Sequence, residues 1–177
     1  MSRVIHLAPP AAQSRLNLKR WKELQEDELL ARLPYSIETD RLGRIIMSPP
    51  PASDHTDRVS KILRALFELL PEGRILSETA VSTTDGVKVT DAAWLLSERT
   101  RELESGPCLL KAPEICIEVV SRSNTPQEMA EKRALYFEAG ALEVWICNLR
   151  GEIAFFIAPD AAQREKSRLC PRFPSIL

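Results

Sequence analysis

The chain has 177 residues, of which 44% are hydrophobic and 28% charged, close to the averages of globular domains. That balance excludes a disordered or collagen-like chain, and at about 150 residues per domain the length favours one folded unit. Twenty-four Lys and Arg against 25 Asp and Glu leave a net charge of −1, which excludes a generally basic nucleic-acid coat but not a local basic groove.

The first dozen residues lack the apolar core of a secretory signal. The longest clean apolar run, Ile153 to Ala158, falls far short of the roughly 20 residues that span a bilayer. A soluble, cytoplasmic protein with no membrane partner is expected. Cys108, Cys116, Cys147 and Cys170 form no CxxC pair, so they read as small buried hydrophobes rather than as a zinc or redox site.

Residues 1–16 read as a flexible N-terminal arm, followed by one domain over residues 17–177. Asn17 is placed as the cap of a short helix carrying Leu18, Trp21 and Leu24 at helical spacing. A further turn through Leu29, Leu30 and Leu33 stops at Pro34. Residues 35–47 are predicted as extended chain that turns at Leu42-Gly43, and Pro49-Pro50-Pro51 ends the return strand. A helix opening at Ser53 or Asp54 follows, with Val59, Ile62, Leu63, Leu66, Phe67 and Leu70 on one broad apolar stripe.

Arg74–Thr83 and Val87–Leu96, turning at Asp85-Gly86, predict a hairpin. A polar loop covers Ser97–Pro107, and the branched apolar run from Glu114 to Val120 suits a central strand buried on both faces. Asn124 or Thr125 caps a helix with Pro126 at its first position, which Gly140 ends. Val144–Asn148 and Ile153–Ile157 complete the sheet, turning at Arg150-Gly151. Trp94, Trp145, Phe155 and Phe156 are read as core or dimer contacts. The tail is irregular, with a basic cluster of Arg164, Lys166, Arg168 and Arg172. Helices alternating with strands in this order imply an α/β fold, a mixed sheet flanked by helices.

Two acids interrupt strands that are otherwise apolar: Asp91, just before Ala92-Ala93-Trp94, and Glu118, between Ile117 and Val119. An unpaired buried carboxylate costs several kcal/mol, so each must be paired, protonated or bound to a cation, unless it lies at a solvated strand end. On neighbouring strands the two would repel, and a hard divalent ion such as Mg²⁺ is the natural intermediary.

This arrangement resembles the core of the PD-(D/E)XK, or restriction-endonuclease-like, nuclease superfamily, and within it a large bacterial branch of uncharacterised endonucleases. The matching stretches are Ile37-Glu38, Gly43–Pro50, His55, Val87–Trp94, Pro113–Ser121, Glu131–Tyr136, Ala139-Gly140 and Glu143–Trp145. The resemblance implies a restriction-endonuclease-like core with an N-terminal helical and hairpin extension. It places the two metal-binding acids on Asp91 and Glu118, with the Val119 carbonyl completing the inner shell around Mg²⁺ (or Mn²⁺). Thr90 stands where the family has proline, and Val120 where the parent pattern has lysine.

The resemblance moves that lysine to Lys132 on the following helix, whose bland alternative is a surface ion pair with Glu128 at i, i+4. Glu38 matches a further acid, able to reach the metal directly or through water. His55 and Ser121 are implied substrate contacts, although His55 would equally satisfy a backbone carbonyl. Glu78 would point either at the same cleft or at solvent. Arg122 and Asn148 replace the family's usual proline and aspartate. The function implied is metal-dependent cleavage of nucleic acid, DNA foremost, by a homodimer. The alternative is a nuclease-fold domain without turnover that binds nucleic acid or serves assembly.

Overall fold

A computed structural model describes residues 11–177. The first helix, α1 (Ala11–Gln25), begins six residues before Asn17, so residues 11–16, assigned from sequence to an arm, are helical. Asn17 is not a cap. Its side chain is buried mid-helix, where Nδ2 donates to Ser82 Oγ and the Thr83 carbonyl, both at 2.9 Å, pinning α1 to the tip of a hairpin. The part of the arm at residues 1–10 lies outside the described residues. A short 3-10 turn at Leu30–Arg32 leads to the antiparallel pair β1 (Ser36–Thr39) and β2 (Ile45–Ser48).

The proline run then gives way to α2 (Ser53–Leu69), whose cap position is Ala52, with no side-chain cap bond. Its stripe is narrower than predicted. Ile62 and Leu66 are fully buried, whereas Phe67 is 72% exposed, because one helical face meets the sheet and the i+8 position rotates off it.

The main sheet runs β3-β4-β5-β6-β7: β3 (Arg74–Thr83), β4 (Gly86–Leu95), β5 (Ile115–Val119), β6 (Glu143–Cys147) and β7 (Ile153–Phe156). Among the five strands of this sheet only β5 and β6 pair with each other in parallel, as a crossover through α3 (Pro126–Glu138) requires. The segment Ser97–Glu104, expected to be loop, forms 3-10 turns. Alternation along β5 sends Ile115, Ile117 and Val119 toward α2, and Cys116 toward Tyr136 and Phe137 of α3. Trp94, Trp145, Phe155 and Phe156 are all buried, and Trp145 packs edge-on against Phe155 at 5.1 Å. All four cysteines are free and buried.

At its tip, the β3–β4 hairpin meets the β1–β2 pair so closely that a Cβ on Gly86 (φ +82°) would lie 2.4 Å from the Thr39 and Asp40 carbonyl oxygens. The smaller pair thereby becomes one wall beside β4.

The C-terminal segment is tied down by an acid that sequence reading passed over. Glu143, 1% exposed, accepts from Trp145 Nε1 and Ser167 Oγ (each 2.7 Å), Arg168 N (2.6 Å) and Leu169 N (3.0 Å). Four donors stand in for the lost hydration of the carboxylate. Glu143→Ala strands these donors and is expected to cost about 3 kcal/mol, read as a lower thermal midpoint with new proteolytic cuts between residues 158 and 169.

Candidate active site

Thr90 and Asp91 end the pairing of β4 with β5, whose last aligned pair is Ala92 with Ile117. Beyond it side chains replace the ladder. Thr90 Oγ1 lies 2.9 Å from the Ile117 carbonyl and 3.1 Å from the Ile117 N–H, and Asp91 Oδ2 accepts from Val119 N at 2.7 Å. Threonine in the family's proline position therefore joins the two strands through its hydroxyl. The same strand register brings Asp91 to the level of Glu118, the next residue along β5.

Glu118 is 4% exposed and gripped through both oxygens. Lys132 Nζ donates to Oε2 at 2.9 Å, and the Tyr136 hydroxyl donates to Oε1 at 2.6 Å. Both donors come from α3, four residues apart on one face. Lys132 also reaches Glu38 Oε1 of β1 at 2.9 Å and the Val89 carbonyl at 3.2 Å, which engages all three of its N–H groups. Glu38 Oε1 in turn accepts from Val89 N at 2.8 Å, joining the smaller sheet to β4.

The surface pairing of Lys132 with Glu128 is not what forms. Glu128 is the reciprocal partner in the capping box of α3, its Oε2 accepting from Thr125 N at 2.7 Å. Asn148 likewise serves its own turn, accepting from Arg150 N and Glu152 N.

His55, in the first turn of α2, places Nε2 3.4 Å from Asp91 Oδ2, and that carboxylate holds the imidazole pKa above its ordinary value. Ser121 faces the same cleft, with its hydroxyl 2.8 Å from Asn124 Oδ1. Glu78 also lines the cleft, at φ +47°, a left-handed conformation rare for a side-chain-bearing residue. Sequence reasoning missed Tyr136 as a participant. Its signal was a tyrosine four residues after Lys132 in a helix whose core position at Phe137 was already filled.

Glu38, His55, Asp91, Glu118, Ser121 and Lys132 line one cleft of about 1470 Å³ between α2, the smaller sheet and α3, and the buried Tyr136 stands behind Glu118, outside that lining. Among the described residues around it, eight acidic side chains face four Lys or Arg. Burial pushes the Glu118 carboxyl up to about 8, with Lys132 opposing the rise and the charges of Asp91 and Glu38 adding to it. One ammonium is thus shared between two carboxylates with a third nearby, and the cluster is short of positive charge.

The donor set fits a hard divalent cation. Asp91 Oδ1 and Glu38 Oε2 have no hydrogen-bond partner among the described residues, and each engaged Glu118 oxygen keeps a second lone pair. Among those residues no three His, Cys, Asp or Glu side chains form a ready-made cage. A site of this kind suits an ion that keeps several waters and takes substrate oxygens.

An acid-bearing antiparallel hairpin, a second acid on the adjoining strand and a helical return to a parallel neighbour define the restriction-endonuclease-like class. The chain belongs to the Uma2 family, described as "Putative restriction endonuclease", whose family model matches residues 27–172. The fold is similar to the crystal structure of a protein described as "a putative nuclease belonging to DUF820" from Anabaena variabilis ATCC 29413. The TM-score is 0.62 at 19% identity, covering 76% of this chain and 79% of that one. No curated protein matches the chain. The family is described as one of restriction endonucleases, that is, of nucleases, and restriction-endonuclease-like nucleases generally use divalent metal ions.

The charge shortage has a pH signature. Between the ordinary glutamate value of 4.5 and about 8, folded Glu118 keeps a proton that the unfolded chain has released, so this group's contribution to stability falls as pH rises through that interval. Thermal midpoints of the metal-free protein are expected to drop across this range, less steeply in Glu118→Gln. Adding a divalent cation is expected to recover the loss at the alkaline end.

Proposed function

We propose that this protein is a metal-dependent endonuclease that hydrolyses phosphodiester bonds in DNA, with Asp91, Glu118 and the Val119 carbonyl holding Mg²⁺ (or Mn²⁺). The observation that carries this reading is the convergence of Asp91, Glu118 and Lys132, from β4, β5 and α3, on one cleft, with Lys132 paired to Glu118 at 2.9 Å. Val120 in the usual lysine position is the main ground for a nuclease fold without turnover. An ammonium supplied from α3 answers it.

A cation bound there would supply a polarised water and offset charge on the scissile phosphate. The protein's own residues do the rest. Asp91 is oriented by the Val119 N–H and by His55. Lys132 is held by two carboxylates and one carbonyl, and the carbonyl bond, at 3.2 Å, is its longest and its only uncharged one. That donor is the one free to turn toward an attacking water or a phosphate oxygen, where a fixed ammonium stabilises developing charge.

Glu38 keeps Lys132 on the cleft side, and its second oxygen, without a partner among the described residues, would be open to help hold the cation. Ser121 is a phosphate contact at the cleft wall. Since the acidic cleft repels a polyanion, substrate entry and cation binding are coupled. A homodimer in the cytoplasm would present two such clefts to the antiparallel strands of a duplex.

The test is cleavage of plasmid DNA and of single-stranded RNA by purified protein with Mg²⁺ or Mn²⁺. Cleavage of DNA is expected, abolished by chelator. Asp91→Ala and Glu118→Ala should each lower the rate about a thousandfold, roughly 4 kcal/mol of transition-state stabilisation. Lys132→Met should lower turnover by about a hundredfold while Mn²⁺ binding persists. Wild-type cutting by the Asp91 and Glu118 variants overturns the assignment.

A further inference from the structure

We propose that Tyr136 is a positioning residue of this site: its hydroxyl fixes the plane of the Glu118 carboxylate, so that the free lone pairs of that group face the cleft. The orientation is read from geometry alone, and the link to a cation rests on the function proposed above. Tyr136 is fully buried, and its hydroxyl donates to Glu118 Oε1 at 2.6 Å, the one acceptor it has among the described residues.

The terminal torsion of a glutamate is broad and weakly held by its own sterics. A single ammonium on Oε2 would leave the carboxylate free to rotate about that contact. A second donor on Oε1, from the same face of the same helix, removes this freedom. Packing does not call for the hydroxyl. The cluster of Val81, Cys116, Phe137, Val144 and Phe156 around the ring is apolar, and phenylalanine has the same shape. A buried hydroxyl needs a partner, so its presence in an apolar cluster makes sense as a partner for Glu118.

Tyr136→Phe keeps the ring and tests the hydroxyl alone. Calorimetric titration with Mn²⁺ is expected to show about tenfold weaker binding at unchanged stoichiometry, the size of effect seen for outer-shell partners of metal ligands. Cleavage should be slower at limiting Mn²⁺ and return to near the wild-type rate at saturation, a rescue that a merely structural defect would not show. Unchanged Mn²⁺ affinity, or a rate loss that saturating Mn²⁺ does not restore, overturns the proposal.

If the wild-type protein binds no Mn²⁺, the metal-dependent function fails by itself. Crystal structures of wild type and Tyr136→Phe then decide the role of Tyr136. A rotated Glu118 carboxylate in the variant supports it, and a superimposable one overturns it.

Discussion

A single ammonium holds this molecule's polar centre together. Lys132 bonds Glu38, Glu118 and the Val89 carbonyl, and thereby connects α3, the smaller sheet and two strands of the larger one. Buried ion pairs contribute little net stability, because the desolvation of each charge offsets most of the attraction. Here the imbalance goes further, since Glu38 and Glu118 share one cation with Asp91 close by, and Glu118 responds by holding its proton up to a pH of about 8. Such a cluster persists only because the surrounding fold over-determines it, and it leaves a demand for positive charge at the cleft.

The fold exposes this cluster to the cleft by stopping its own hydrogen-bond ladder. Backbone pairing between β4 and β5 ends at Ala92 and Ile117, and the next donors are answered by the Thr90 hydroxyl and the Asp91 carboxylate. Strands that part at this point open a mouth in the sheet while the Ile117 and Val119 amides keep side-chain partners. The two apolar layers, α2 on one face and α3 on the other, hold the mouth rigid from behind. Glu143 does the corresponding work at the far end, anchoring the tail through hydrogen bonds from Ser167, Arg168 and Leu169, with Trp145 Nε1 as a fourth donor and no salt-bridge partner among the described residues.

Asp91 and Glu118 stood out in sequence because each breaks an apolar run, and a buried charge is conspicuous against branched aliphatics. Lys132 was reachable through resemblance, since helical spacing alone pointed as readily to Glu128. Tyr136 and Thr90 carried no charge to break a pattern, so their parts in the site depended on contacts across α3, β4 and β5. Asn17 misled for a related reason: a short polar side chain just before an apolar repeat looks like a cap, yet here it is a buried clamp on Ser82 and Thr83.

Periodicity and punctuation in the chain determined the helices, the hairpins and the β5–α3–β6 crossover, because apolar spacing, Pro126 and the turn glycines act locally. Tertiary structure alone decided which partner each polar group takes. Lys132 had acids within reach on its own helix and on two strands, and only the packing of α3 over β5 selects Glu118 and Glu38 over Glu128. That choice depends on distances between segments far apart in sequence, which local patterns of residues do not encode.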